Sequence, residues 1–431
     1  MASVNRIFQL VEYGPPVAIL GELASHLGSS SADAEQELRK VGERLQAQHS
    51  LSSSPIEISA KGVSAKGIAG TISIRRNAEL EIRPKFALPG DQWQEDLLFL
   101  ALFTVYGHVD LIRTVAASST SQNTMADLVG RILLGLIRQN SRRPLKTRRA
   151  STVFSFEPVS ELDPEALLNP DDEGWSQRVY QMSLDNEWLA TIHAGISSLI
   201  PHVRDASVSG GLTDLAVRWG RPRTRPSLIH RTMPPRLSAW QSAYDLSFEL
   251  NRGASTSPSM GPFSTFGFTV ATWQTWEALL ERALVMAIGA NRVALQRPYR
   301  FGTSEKGAQK SALQVYPDAV ISDSLGSHII DAKYKGHQER GFEGITAADR
   351  YEMLAFMHAT GTVRATLIYP SLEAAPVGTP PTLLEVSQIP LGTVRAMALG
   401  IRGIGKPGGL HRFIQDVAKA VQSAVETRQA A

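Results

Sequence analysis

Tyr316-Pro317-Asp318-Ala319-Val320-Ile321-Ser322-Asp323-Ser324-Leu325-Gly326-Ser327-His328-Ile329-Ile330-Asp331-Ala332-Lys333 is the stretch that decides how this chain is read. Strand-like segments are expected at Gln314 to Ile321 and at Ser327 to Tyr334. Side chains alternate along a strand, so Ile329, Asp331 and Lys333 share one face, while Ile330, Ala332 and Tyr334 share the other. The polar run Ser322 to Ser327 suits a hairpin turn, and folding back there sets Asp318 beside Asp331.

Two carboxylates held together repel unless a cation lies between them. Hard oxygen donors favour Mg²⁺, or alternatively Mn²⁺, and such an ion also grips a phosphate oxygen and acidifies a bound water. Lys333 would orient that water or neutralise charge growing at phosphorus. Glu277 is a third candidate ligand. It lies at helical spacing from Trp273, Leu280 and Leu284, an apolar stripe on which an unpaired carboxylate is costly. The candidate catalytic set is therefore Asp318, Asp331, Lys333 and Glu277, with the three acids as metal ligands. Plainer readings stand beside it. Pro-Asp is a common turn dipeptide, Asp-x-Lys on a strand is often a surface ion pair, and Glu277 could be a solvent-side helix residue near Glu281 and Arg282.

Outward from this stretch the elements alternate. A helix is expected over about Val270 to Ala287, another from Thr346, where Thr346 and Asp349 have capping-box spacing, a strand at Ala365 to Tyr369, and a last helix with Phe413, Val417, Val421 and Ala424 on one face. This order predicts an α/β domain with a mixed sheet flanked by helices over residues 255–431. The Ser, Gly and Pro of residues 251–267 mark its boundary. Residues 1–94 read as a small β-rich module, with a hairpin joining Thr71-Ile-Ser-Ile-Arg75 to Leu80 and Ile82. Residues 95–254 read as mainly helical, with one helix around Leu97 to Leu102, a second from Met125 to Leu136 and a third from Trp175 to about Leu199.

Composition narrows the class. The chain has 431 residues, a net charge of +3 and no cysteine, which excludes disulfides, thiolate metal sites and a cysteine nucleophile. No basic stretch followed by an apolar run appears near Met1, and Leu97 to Gly107 is too short to span a bilayer, so a cytoplasmic protein without membrane association is expected. Gly403-Ile-Gly-Lys406 is followed by Pro407 and lacks the hydroxyl residue of a phosphate loop, so no nucleotide is expected on this chain. Residues 138–149 and 218–236 each carry six Lys or Arg and no acid. Such runs suit DNA phosphates, an acidic partner protein or plain solvation. The DNA-contact candidates are Arg142, Arg143, Arg148, Arg149, Arg221, Arg223 and Arg225, together with Lys335. His328 falls on the strand face opposite Asp331 and reads as structural.

The pattern resembles the McrC family, the nuclease subunit of McrBC-type 5-methylcytosine restriction systems. The likeness is carried by Trp276-Glu277, Tyr316-Pro317-Asp318, Ile330-Asp331-Ala-Lys-Tyr-Lys335 and Asp349-Arg-Tyr351-Glu-Met-Leu-Ala355. Near the start it rests on Gln9-Leu-Val-Glu-Tyr13, Gly70 and Leu80-Glu-Ile-Arg-Pro84-Lys85. The resemblance implies a PD-(D/E)xK nuclease domain that cuts DNA with Mg²⁺ in an antiviral restriction complex. It also implies an oligomeric assembly with an AAA+ NTPase related to McrB, onto which the N-terminal part would dock. Tyr351 and Glu352 become secondary site candidates, Glu352 standing where the family has glutamine. Two other readings remain: a non-catalytic adaptor that activates an NTPase, and a stand-alone nuclease of the same superfamily.

Overall fold

The computed structural model describes residues 6–75, 78–91, 93–106, 125–159, 168, 171–255, 268–306, 309–323, 326–334, 345–371, 373 and 375–426. The chain divides into two compact units, Met1–Ser119 with Gly267–Ala431, and Thr120–Phe266.

In the first unit the chain begins with strand β1 (Arg6–Val11), helices α1 (Leu20–Leu27) and α2 (Ser31–Gln48), strands β2 (Ile56–Ser59), β3 (Gly62–Ala65), β4 (Ile68–Arg75) and β5 (Ala78–Arg83), and helix α3 (Trp93–Tyr106). The β-rich reading of this segment missed α2. Its start is fixed by a capping box, in which the Ser30 hydroxyl accepts from Asp33 N at 3.1 Å while Asp33 accepts from Ser30 N. Its Leu38, Val41 and Leu45 are buried. The expected hairpin forms, with Thr71 opposite Glu81 and Ile72 opposite Leu80.

The second unit holds α4 (Met125–Gln139), the hairpin β6 (Thr147–Ser155) and β7 (Trp175–Ser183), and helices α5 (Glu187–Leu199), α6 (Ala206–Trp219) and α7 (Gln241–Ser255). The expected helix from Trp175 is therefore a strand followed by a shorter helix. Trp175 to Ser183 alternates faces and pairs residue for residue with β6, and Asn186 caps α5 by accepting from Leu189 N at 3.0 Å. The basic run at 138–149 likewise ends on a strand.

The chain returns to the first unit with β8 (Phe268–Ala271), α8 (Thr272–Ile288), β9 (Val293–Leu295), β10 (Tyr299–Lys306), β11 (Gln309–Val315), β12 (Ala319–Asp323), β13 (Gly326–Ala332), α9 (Ala347–Thr360), β14 (Arg364–Pro370), β15 (Thr382–Ile389), β16 (Gly392–Leu399) and α10 (Gly409–Glu426). The single strand expected over Gln314 to Ile321 is two strands. The chain breaks between them at Tyr316-Pro317-Asp318, because Pro317 has no N–H to give a ladder. The pairing of β10 with β11 and of β15 with β16 has no counterpart in the sequence reading.

A six-stranded mixed sheet runs in the order β15-β16-β14-β13-β12-β9, with β13, β14 and β16 parallel. Its two faces bury alternate residues. Ala319, Ile321, Ile330 and Ile368 pack with Trp276, Leu279 and Leu280 of α8 and Phe413 and Val417 of α10. Val320, Ile329, Leu367 and Val394 pack with Met353, Phe356 and Met357 of α9. A four-stranded sheet, β1-β5-β4-β8, joins the N-terminal segment to the start of α8. Gly70 is required where β4 meets β8. Its φ of +137° suits glycine, and a side chain there would strike the Phe268 carbonyl. The residues read as separate N- and C-terminal modules thus share a sheet.

Candidate active site

The acidic stretch sits where β13 ends and β12 begins. Ala319 pairs with Ile330, so the register places Asp318 across from Asp331, and directly opposed residues share a sheet face. Asp318 Oδ2 accepts from Ala332 N at 2.8 Å, which holds its carboxylate against the neighbouring strand end. Asp331 is 3 % exposed. Burial and the adjacent Asp318 push its carboxyl up to about 8. Burial also raises Asp318.

Lys333 lies on the same face as Asp331. Its Nζ is 2.7 Å from Asp331 Oδ2 and 2.6 Å from Glu352 Oε2 on α9. Burial disfavours the ammonium, yet Asp331 and Glu352 outweigh it and hold Lys333 protonated, above its ordinary range. Its backbone N donates to Ile368 O at 2.9 Å. The same carbonyl accepts Trp276 Nε1 of α8 at 3.1 Å. One carbonyl of β14 therefore ties the lysine strand to the helix that carries Glu277.

Glu277 is not on the stripe that α8 buries. That stripe is Thr272, Thr275, Trp276, Leu279, Leu280, Ala283 and Leu284, while Trp273 is 41 % exposed. Glu277 lies half-buried on its flank, and Gln296 links it to the strands. The Gln296 side-chain amide donates to Glu277 Oε1 at 2.8 Å, to Glu281 Oε1 at 3.1 Å and to Asp318 Oδ1 at 3.0 Å, and Gln296 N donates to the Asp318 carbonyl at 3.0 Å. Burial, Asp318 and Glu281 together push Glu277 up to about 7. Gln296 holds a φ of +46°, in a region that costs a non-glycine residue free energy, so its neighbours fix the conformation.

Gln296 and Glu281 are the residues the sequence reading missed. The i, i+4 spacing of Glu277 and Glu281 was visible on a helix. Nothing in the surroundings of Gln296 singles it out. Among the candidates, Glu352 reaches the site through Lys333, whereas Tyr351 is 73 % exposed. His328 is buried on the other face, 2.9 Å from Thr366 Oγ1. Lys335 lies outside the described residues. Among the described residues no group of three or more acidic or histidine side chains is already placed to hold a metal ion. The donor set nevertheless fits a hard divalent cation: Asp318, Asp331 and Glu277 all have raised pKa values, through burial and repulsion that a cation would relieve.

In the second unit Arg142, Arg143, Arg148, Arg221, Arg223 and Arg225 are exposed. Arg149 pairs with Asp185 at 2.5 Å, and Asp185 also accepts from Arg223 N and Thr224 N. One carboxylate thus pins both basic runs together. The Gly403–Lys406 turn gives its amides to a side chain of the protein: Gly403 N and Gly405 N donate to buried Asp96 at 2.7 and 2.9 Å. Among the described residues no helix is long and apolar enough to cross a membrane.

Residues 237–370 match the family model of the McrBC 5-methylcytosine restriction system component. That segment contains Glu277, Asp318, Asp331, Lys333 and Glu352. No curated protein matches the sequence. A chain of the refined half-complex from the tetradecameric assembly of Thermococcus gammatolerans McrB AAA+ hexamers with bound McrC shares the fold. It has a TM-score of 0.67 at 14 % identity, over 96 % of this chain and 99 % of that one. A chain of the cryo-EM Thermococcus gammatolerans McrBC complex aligns over 65 % of this chain and 87 % of its own, at 16 % identity and a TM-score of 0.46. The sequence likeness to the McrBC restriction component thus lies in the segment that carries the candidate site residues.

Proposed function

We propose that this chain is a Mg²⁺-dependent DNA endonuclease subunit of the PD-(D/E)xK type, working with an AAA+ NTPase partner in a restriction complex. The observation that carries the reading is the convergence of Asp318, Asp331 and Lys333 at one end of the β12–β13 pair, with Glu277 brought to Asp318 by Gln296. The partner is supported by the family match over residues 237–370 and by the McrB hexamers in the assembly whose chain shares this fold. The N-terminal segment is the proposed docking part.

Asp318, Asp331 and Glu277 would hold the divalent ion, Mg²⁺ or Mn²⁺. When bound, that ion supplies an acidified water and a positive charge at the scissile phosphate. Lys333, held protonated by Asp331 and Glu352, presents an ammonium beside the acids, placed to stabilise charge on a phosphate oxygen or to orient the attacking water. Glu352 keeps that ammonium from collapsing wholly onto Asp331. Exposed arginines of the second unit would hold the DNA backbone without reading sequence.

The test is plasmid nicking with Mg²⁺ and the AAA+ partner. Asp331→Ala and Lys333→Ala are expected to lose at least about a hundredfold in rate, the scale for removing one electrostatic stabiliser. Wild-type cleavage by both variants would refute the catalytic assignment and leave the reading as a non-catalytic activator of the NTPase.

A further inference from the structure

Four residues that the nuclease chemistry does not use form a buried polar knot next to Lys333. Glu12 follows β1, Lys85 follows β5, Thr272 opens α8, and Tyr334 is the residue after the candidate catalytic lysine. All four are at most 6 % exposed. The Glu12 carboxylate accepts from Tyr334 Oη at 2.6 Å, from the Thr272 hydroxyl, and from Lys85 N at 3.3 Å. The Lys85 ammonium donates to the Tyr334 main-chain carbonyl. It also lies 4.0 Å from the centre of the Tyr334 ring and 5.3 Å from that of Tyr13.

A buried acid, a buried amine and a buried phenol are costly unless each is satisfied, and here they satisfy one another. A purely structural knot, however, needs no grip on a main-chain carbonyl. This one holds Tyr334 by ring, hydroxyl and carbonyl together. The carbonyl is one residue beyond Lys333, whose own N–H is fixed to Ile368 O. Lys333 is thus held on both sides. Strand β13 ends at Ala332, so Tyr334 lies past its regular ladder and its backbone needs another anchor. Thr272 brings the first turn of α8, the helix of Glu277, into the same knot.

We infer that Glu12 and Lys85 are positioning residues for Lys333: the N-terminal sheet clamps Tyr334, and through it sets where the lysine and Asp331 point. The inference rests on the nuclease reading of Lys333, while the clamp itself can be measured without cleavage.

The experiment compares the wild-type full chain with Tyr334→Phe and with the double variant Glu12→Gln/Lys85→Met. The double variant removes both buried charges at once and so avoids stranding either. Hydrogen–deuterium exchange is followed over peptides covering 329–334 and, as control, 187–199, alongside thermal melting and Mg²⁺-dependent nicking with the AAA+ partner. The expected result for the double variant is a melting temperature within a few degrees of wild type and faster exchange confined to 329–334. Its kcat falls about a hundredfold, the scale for a misplaced catalytic group, while KM for DNA is unchanged. Tyr334→Phe, which keeps the Lys85 contact to the carbonyl, shows the same pattern more weakly and carries the test if the double variant does not fold. Wild-type exchange at 329–334 in a folded variant overturns the clamp. Faster exchange with undiminished cleavage overturns its positioning role. Faster local exchange in a protein whose wild type does not cut DNA leaves the clamp standing and refutes the nuclease reading.

Discussion

The side-chain amide of Gln296 lies 2.8 Å from Glu277 Oε1 and, from the same nitrogen, 3.0 Å from Asp318 Oδ1, so a single donor holds two acids from separate elements together. An amide serves there because it gives a proton without adding charge. Gln296 is also the place where the sheet edge meets α8, held in a left-handed conformation that few side chains adopt.

Gln296→Glu replaces that donor with another carboxylate of nearly the same shape. Glu277, Glu281 and Asp318 then face a like charge, so the cation-free variant is expected to melt several degrees below wild type near pH 8. Mg²⁺ should restore most of the loss, because added negative charge strengthens cation binding. Thermal melts with Mg²⁺ and with a chelator decide it. A variant whose melting temperature ignores the cation would show that Gln296 does not face a metal site.

The raised carboxyls set a pH dependence. Asp331 is pushed up to about 8 by burial and Asp318, and Glu277 to about 7 by burial, Asp318 and Glu281, from ordinary values near 4. Between those limits the folded state holds more protons than the unfolded state, so stability falls as pH rises from about 4 to about 8. A divalent cation binds the deprotonated form, and its stabilising effect therefore grows over the same window. The melting-temperature gain from Mg²⁺ is expected to be larger at pH 8 than at pH 6, and to shrink at both in Asp331→Asn. An equal gain at both pH values would count against these acids as the ligands.

The exposed arginines of the second unit are predicted to grip phosphates. Arg142→Ala, Arg148→Ala and Arg223→Ala should each weaken DNA binding to a similar degree for unrelated sequences. Each should also flatten the salt dependence of affinity by about one unit of slope. Arg149→Ala is expected to do more, since it also releases Asp185 from its ion pair with the β6 run. Affinity measured across a salt series checks this, and an unchanged slope in all four variants would assign these runs to another partner or to solvent.

Much of the site was legible from local rules. Alternation in β13 put Asp331 and Lys333 on one face, and the polar run after Ile321 allowed the hairpin that sets Asp318 across from Asp331. Capping chemistry marked the start of α9, where the Thr346 hydroxyl accepts from Asp349 N at 3.1 Å. Local rules failed where a segment takes its structure from a distant partner. Trp175 to Ser183 is a strand because β6 pairs with it, and Glu277 lies off the buried stripe because Trp276, which seeks the Ile368 carbonyl, turns that face inward.

The amino-acid sequence by itself determined the mixed α/β class of the C-terminal segment, the grouping of Asp318, Asp331 and Lys333 at one strand end, and the motifs that resemble those of the McrC family. Periodicity, turn chemistry and residue type act over a few neighbours, and those features live at that range. Only the tertiary structure decided that Gln296 joins Glu277 to Asp318, that Glu352 takes the second contact to Lys333, and that Glu12 and Lys85 close around Tyr334 from the far end of the chain. Those contacts join residues 19 to 322 positions apart. Burial and hydrogen-bond satisfaction choose such partners once the sheets have formed, and no short-range pattern encodes them.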